Sequence, residues 1–266
     1  MIAALADRAV IAVSGPEARS FLQGLLTNDI EALSGGNAIY AALLTPQGKV
    51  LFDFMIAEDG TGTLLIDCWA PAREALVKRL SMYRLRAKVV IEPRDGQAVL
   101  ASWDGTELPG LAFDDPRLAA LGRRAIAQAP ASPATGDYLT RRLSLGVPEG
   151  ADFGSDKMFA LDADLDDLHA IAFDKGCYVG QELTARMKHR GTARKRLLVV
   201  ESTDKSALTA GGELRAAGHA IGDIVSVYGE HGFALVRLDR LAEAAGALID
   251  ANGIAMSVTK QDWLSA

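Results

Sequence analysis

The sequence predicts a body of mixed helices and strands followed by a small antiparallel β domain. Three observations carry this reading. Over the first 145 residues, segments of helical period alternate with apolar runs of strand length, two of them joined by a hairpin signal. After Arg194 the texture changes to short strands separated by glycine turns, which places a boundary near residue 195 and gives regions 1–194 and 195–266. Hydrophobic residues make up 49% of the 266, enough to bury a sizeable core and to exclude global disorder.

Taken in order, Ser14-Gly15-Pro16-Glu17 reads as a capping box with proline near the first helical position, and Ala18, Phe21, Leu22 and Leu25 share one face of a helix over 16–26. Residues 38–44 and 50–57 read as strands joined at Thr45-Pro46-Gln47-Gly48-Lys49, and a third strand follows at Thr63 to Cys68. Pro71 opens a second helix with Leu76, Leu80 and Tyr83 inward. Strands are expected over 88–91, 98–103 and 122–128, with a turn-rich stretch at 104–117, a loop at Pro130-Ala131-Ser132-Pro133 and a helix over 136–145. Residues 146–160 are long and weakly patterned, and such stretches inside compact proteins are often functional. In the last region, strands are expected over 195–202, 220–228 and 233–238, with short strands continuing to Thr259.

The net charge of −6 argues against a protein coated for duplex nucleic acid, while leaving room for a local basic groove. The two cysteines, Cys68 and Cys177, cannot supply a four-ligand metal site, and their low number suggests a reducing compartment. The N-terminus lacks the basic and apolar regions of a signal peptide, and no window approaches the length of an apolar membrane span. The expectation is a cytoplasmic protein with no membrane partner.

The most informative run is Lys175-Gly176-Cys177-Tyr178-Val179-Gly180-Gln181-Glu182. Turn chemistry at Asp174-Lys175-Gly176 precedes good helix formers from Gln181 to Lys188, with Gly191 as a stop. Cys177 is therefore expected just before a helix N-terminus and beside Lys175, two features that favour a thiolate able to ligate metal or attack an electrophile. Cys68, mid-strand beside Trp69, reads as packing. Glu182 and Arg186 stand four apart and can pair across a turn. Six of the residues from Arg186 to Arg196 are Arg or Lys. Among them Lys188, Arg190, Arg194, Lys195 and Arg196 form a candidate contact for an anionic tail or RNA, or else a solvated helix end.

Several other chemistries are excluded. Asp162-Ala163-Asp164-Leu165-Asp166-Asp167 lacks the glycine and glutamate that an EF-hand loop requires at its sixth and twelfth positions. Gly48-Lys49 lacks the rest of a phosphate-binding loop, and no dinucleotide fingerprint, nucleophile elbow or HExxH motif occurs.

The run from Lys175 to Leu197 resembles the folate-binding YgfZ family and its Iba-type iron–sulfur relatives, whose signature K-G-C-Y-x-G-Q-E is met at every fixed position. The continuation Leu183-Thr184-Ala185-Arg186, His189, Gly191 and Arg194-Lys195-Arg196-Leu197 is closer to the Iba-type branch. Phe21-Leu22-Gln23-Gly24-Leu25-Leu26-Thr27-Asn28-Asp29 and Tyr83-Arg84-Leu85-Arg86-Ala87-Lys88-Val89 agree with it. The resemblance extends to the glycine-cleavage T-protein, an aminomethyltransferase. It implies an α+β fold: a folate-binding body of two intertwined α/β subdomains and a C-terminal antiparallel β-barrel, arranged as a ring around a central channel.

The function implied is an accessory one, support of [4Fe–4S] cluster assembly or maintenance in client enzymes, including radical-SAM enzymes that modify tRNA. Cys177 would be the functional thiol, and tetrahydrofolate or a derivative the cofactor, contacted by Asp53, Asp162 and Arg186. No stably held metal is implied for the isolated chain, because a cubane cluster needs four ligands. Partners would be iron–sulfur assembly proteins and client enzymes, with tRNA reached indirectly. Two departures from the pattern matter. Phe52-Asp53 stands where the T-protein carries two adjacent aspartates, and Asp162-Ala163-Asp164 where relatives carry Glu-x-Asn. The alternatives are a tetrahydrofolate-dependent aminomethyltransferase, which the single aspartate at Phe52-Asp53 disfavours, and a tRNA-binding module resting on the basic stretch alone.

Overall fold

Three β assemblies organise the chain, seen in a computed structural model that describes residues 1–129, 137–191 and 194–265. In chain order the elements are β1 (Ala3–Ala4), β2 (Arg8–Ser14), α1 (Ala18–Gln23), β3 (Ala38–Leu44), β4 (Val50–Glu58), β5 (Leu64–Trp69), α2 (Arg73–Arg84), β6 (Val90–Pro93), β7 (Gln97–Ser102), β8 (Leu111–Asp114) and β9 (Arg123–Gln128). They continue with α3 (Tyr138–Ser144), α4 (Gln181–Arg190), β10 (Lys195–Ser202), β11 (Glu213–Ala216), β12 (His219–Tyr228), β13 (His231–Arg237), α5 (Leu238–Glu243), β14 (Ile249–Ala251) and β15 (Ile254–Thr259). A five-stranded sheet runs β3-β4-β5-β2-β6, a four-stranded sheet runs β1-β7-β9-β8, and β10-β13-β12-β11-β14-β15 close into a barrel. All pairings are antiparallel. The N-terminus belongs to both sheets, since β1 pairs with β7 and β2 with β5 and β6.

The five-stranded sheet is covered on both faces. Ile11, Val13, Leu43, Phe54 and Ile66 pack beneath α1 and α2 through Leu22, Leu76 and Leu80. Val10, Ala12, Tyr40, Met55 and Leu65 face the opposite way and share a core with Val99 and Ile126 of the second sheet and Leu197 and Phe233 of the barrel. Two buried faces require apolar side chains at successive positions rather than alternation. That is why β2, Arg-Ala-Val-Ile-Ala-Val-Ser, carries no period-2 signal. Within the barrel, Leu198, Val200, Leu214, Ile224 and Val236 form a separate core.

The expected β3–β4 hairpin forms, with Thr45 N–H donating to the Lys49 carbonyl at 2.8 Å. The first helix is shorter than expected, and its capping box does not form, because the Glu17 carboxylate instead accepts from the Lys88 backbone N–H. Gly15 permits that approach: at φ +110, a Cβ there would lie 2.4 Å from the Lys88 carbonyl oxygen. β8 lies inside the stretch expected to be turns, and β11 and α5 add elements within the last region. The expected loop at 130–133 falls outside the described residues.

Where the sheets and barrel meet, the interior is charged. Arg124 donates to Asp67 at 2.7 Å, Asp115 at 3.1 Å and Glu149 at 3.0 Å, and Arg117 donates to Asp115 at 2.9 Å and Glu149 at 2.6 Å. Arg142 reaches Asp152 at 2.6 Å, and the Tyr228 hydroxyl of the barrel donates to the same carboxylate at 2.7 Å. Burial alone would raise the pKa of Glu149, but Arg117, Arg124 and Arg142 outweigh it and hold the carboxyl well below its usual range.

Candidate functional site

The two sequence stretches that carry the family resemblance meet in space. Thr27 pairs with Ala42 through both backbone and side chain, and its hydroxyl donates to the Ala170 carbonyl at 2.6 Å. The Asn28 amide donates to the carbonyls of Tyr40 at 2.7 Å and His169 at 2.8 Å. The Lys175 ammonium then donates to the carbonyls of Gln23, Leu26 and Asn28 at 2.9, 2.8 and 2.8 Å. Carbonyls left unpaired past the end of α1 are what a cation satisfies best. Burial pushes the Lys175 ammonium down to about 8, with Asp29 opposing the shift. Lys175 is thus the anchor of the cysteine loop.

The other motif residues divide between packing and exposure. Tyr178 is buried, its ring 5.4 Å from the Lys175 ammonium, and burial pushes its hydroxyl up to about 12. Gly180 sits at φ +84 against the β3–β4 turn, where a Cβ would lie 2.5 Å from the Thr45 carbonyl oxygen, so this glycine is sterically required. It precedes α4, which ends at Gly191 in the left-handed conformation the stop signal implies. Gly176, by contrast, has open space around it. Cys177 beside it is exposed and forms no disulfide. Among the described residues, neither the Cys177 nor the Gln181 side chain has a hydrogen-bond partner. Glu182 and Arg186 form the i,i+4 pair at 2.6 Å on the solvent side of α4.

The basic stretch does not act as one face. Arg190, Arg194 and Lys195 are exposed. Lys188 is exposed but pairs with Asp166 at 2.9 Å and lies 5.4 Å from the Phe173 ring. Arg196, expected among the anion contacts, points inward as the next residue along β10. It is buried, donates to the Leu161 carbonyl and lies 3.7 Å from Asp164 and 3.5 Å from Asp166. Strand alternation, which turns successive side chains to opposite faces, separates it from Lys195.

Asp53 lies elsewhere, buried on β4. Its carboxylate accepts from the Tyr40 hydroxyl and the Gly150 N–H, each at 3.0 Å, and burial raises its pKa. It lines a cavity of about 370 Å³ with Phe52, Cys68, Trp69, Phe153 and Lys157. Gly150, at φ +55, lets the chain lie against the Trp69 ring, since a Cβ there would be 2.9 Å away. The lining includes neither Asp162, Arg186 nor Cys177. Asp162 is buried near Lys195 and Arg196, and burial pushes its carboxyl up to about 6 against their pull. Cys68 contributes a buried thiol, pushed up to about 12 by burial. Among the described residues, no three His, Cys, Asp or Glu side chains converge as a metal site, and no helix is long and apolar enough to cross a membrane.

Sequence reasoning did not single out Trp69, Gly150 or Lys157 as cavity residues. The glycine-rich irregular stretch at 146–160 was the available signal, and it supplies two of the three.

Comparison with known proteins bears on the fold and the family. Residues 194–266 match the family described as CAF17, C-terminal beta-barrel domain. The human mitochondrial iron–sulfur cluster assembly factor IBA57 is 34% identical, over 89% of this chain and 77% of its own. The Neurospora crassa mitochondrial homolog is 37% identical over 73% of this chain, and the match spans about half (52%) of that relative's length. The crystal structure of the glycine cleavage system aminomethyltransferase T from Bartonella henselae superimposes with a TM-score of 0.76 at 18% identity, covering 98% of this chain and 85% of that one, which shows the T-protein fold. With the barrel, the T-protein fold and the motif loop in place, the chain belongs to the IBA57 family of iron–sulfur cluster assembly factors.

Proposed function

We propose that the protein supports assembly or maintenance of [4Fe–4S] clusters in client enzymes, among them radical-SAM enzymes that modify tRNA, by presenting the Cys177 thiol to an iron–sulfur partner. The observation that carries this is the contrast within the motif. Lys175, Tyr178 and Gly180 are fixed by hydrogen bonds and packing, while Gly176 and Cys177 are exposed and, among the described residues, the Cys177 side chain has no hydrogen-bond partner. A rigid turn carrying one free thiol offers a single ligand. A cubane cluster takes four, so the partner supplies the remainder and the cluster is cargo. An exposed free thiol suits a reducing compartment, and we place this chain in the cytoplasm on that ground, although its curated relatives are named mitochondrial.

Tetrahydrofolate fits the Asp53 cavity in chemical kind. The volume falls within the range of small-molecule sites, roughly 300–1,000 Å³. Phe52, Trp69 and Phe153 offer walls for a flat heterocycle, Asp53 offers acceptor oxygens for ring N–H groups, and Lys157 offers a cation for a carboxylate tail. Asp162 and Arg186, first expected as folate contacts, do not line this cavity. When bound, the cofactor supplies a reduced pterin able to carry one-carbon units. The chain's own residues bind and orient it. A single aspartate at Phe52-Asp53 favours an accessory role over aminomethyl transfer.

The test is Cys177→Ala in cells lacking the protein. Its melting temperature stays within a degree or two of wild type, while client iron–sulfur enzyme activity falls to the null level. Full restoration of that activity would remove the thiol from the mechanism. Tetrahydrofolate titration of the same variant gives wild-type affinity and that of Asp53→Asn a weaker one, which separates the pterin site from the thiol.

A further inference from the structure

The segment joining α2 to β6 carries a surface that neither the thiol nor the cavity uses. Three of the seven large hydrophobic side chains exposed among the described residues lie within nine positions: Met82 at 62%, Leu85 at 88% and Val90 at 47% exposure. From Ala75 to Ile91 there are five cations, Lys78, Arg79, Arg84, Arg86 and Lys88, and no Asp or Glu. With a net charge of −6 overall, the rest of the chain carries −11. Among the described residues, none of these five side chains forms an ion pair. Elsewhere on the molecule exposed arginines commonly have a carboxylate partner, as Arg123 has Asp114 and Arg215 has Glu213.

Leu85 is also conformationally unusual. It caps α2 at φ 46 and ψ −104, a conformation that an L-residue with a branched side chain rarely adopts. The chain on either side holds it there. Tyr83 and Ala87 pack on the core beneath the sheet, Val89 is buried, and the Ala87 N–H donates to the Arg84 carbonyl at 2.8 Å. Among the described residues, nothing covers the side chain so presented. β6, which follows, is the free edge of its sheet.

We propose that this tip is a docking surface for an acidic protein partner, with Leu85 as the anchor in an apolar socket and the five cations facing the partner's carboxylates. Charge complementarity selects an anionic partner, and the aliphatic anchor distinguishes among anionic partners. A phosphate backbone gives no reward for burying leucine. A fluid bilayer accepts a side chain in any conformation, so it gains nothing from a leucine fixed at positive φ. A shaped protein socket gains from both, because a preorganised anchor loses less freedom on binding. The surface is linked to the cysteine loop through α1. Glu17, at the start of that helix, holds the Lys88 backbone, and Lys175 gathers the carbonyls at its far end. A partner seated on Leu85 is therefore placed on the same helix-covered side that anchors Cys177. The inference stands on the α2–β6 surface and does not depend on the thiol reading.

The experiment places a photo-crosslinking benzoylphenylalanine at Leu85 of the full chain in cells, with a second probe at the exposed Leu248 as control. The captured protein is purified and titrated against wild type, Leu85→Gly and the double variant Arg84→Glu, Arg86→Glu. Anionic phosphatidylglycerol vesicles and bulk tRNA are titrated in parallel. The expected result is an acidic protein crosslinked from Leu85 and not from Leu248. Its affinity drops at least tenfold for each variant and falls with added salt. Leu85→Gly separates docking from folding, since glycine relieves the positive φ and leaves the melting temperature no lower while binding is lost. The proposal is overturned if Leu85 captures nothing, if the captured protein binds all variants equally, or if the vesicles or tRNA bind more tightly through these same residues.

Discussion

The charged junction between the sheets and barrel and the turn carrying Cys177 both depend on polar side chains, and they use them in opposite ways. At the junction, Arg117 and Arg124 converge on Asp115 and Glu149, and Arg124 reaches Asp67 as well, all of them buried. At the turn, one half-buried contact set, the Lys175 ammonium on three carbonyls, holds a loop whose cysteine side chain has no hydrogen-bond partner among the described residues. The first arrangement fixes how the two sheets and the segment carrying Glu149 sit together. The second fixes a backbone while leaving one atom free for a partner. Buried ion networks cost so much desolvation that their worth lies in geometry rather than net stability. The chain therefore gives its most demanding electrostatics to architecture and keeps the reactive group on a separately tethered loop.

The largest effect should come from the junction. Arg124→Ala removes the cation shared by Asp67, Asp115 and Glu149 and leaves their carboxylates buried with fewer partners. Breaking a buried pair from one side costs about 3–5 kcal/mol, and urea unfolding at neutral pH should show a loss of that order. A loss below about 1 kcal/mol, the worth of an ordinary surface pair, would mean that water reaches the junction and that the contrast with the turn is false. Lys175→Met keeps the aliphatic stem and deletes the ammonium. Hydrogen bonds from a charged donor contribute about 1.5–3 kcal/mol, so the stability loss should be near 2 kcal/mol. The diagnostic readout is local: amide exchange should accelerate at residues 175–180 and around Asn28, while the barrel keeps wild-type protection. Uniform acceleration across the chain would make Lys175 a global stabiliser and not a tether.

Much of this was legible in the sequence. The β3–β4 hairpin announced itself through Thr45-Pro46-Gln47-Gly48-Lys49, and α4 through its formers and Gly191. β2 escaped because both its faces are buried, which erases alternation, and β8 escaped because four residues among turn formers look like more turn. At the site, the exposed position of Cys177 was written in its neighbours, but the destination of Lys175 was not. Its partners are backbone carbonyls about 150 positions away, and backbone groups leave no mark in a sequence. The junction was equally silent. Asp67, Asp115, Arg117, Arg124 and Glu149 are ordinary charged residues at unrelated spacings, brought together only by the packing of two sheets. Arg196 shows the converse failure, a cation read as part of a basic face when its place on β10 turned it inward.

Asp162 offers the finest test, because it combines the two cases: buried like the junction, yet without a hydrogen bond or ion pair for its side chain among the described residues. Burial raises its carboxyl to about 6, opposed by Lys195 and Arg196. The folded state therefore binds this proton more tightly than the unfolded chain does. That contribution to stability is complete below about pH 4, where both states are protonated, and is lost as pH rises through 6. Asp162→Asn removes the charge and keeps the shape, so it should match wild type near pH 4 and exceed it by about 1–2 kcal/mol above pH 7, allowing for partial solvent screening. Urea midpoints measured from pH 4 to 8 read this as a difference that opens through pH 6. A difference that stays constant with pH would show that the carboxylate finds a partner in solution, and Asp162 would then belong with the satisfied groups of the junction.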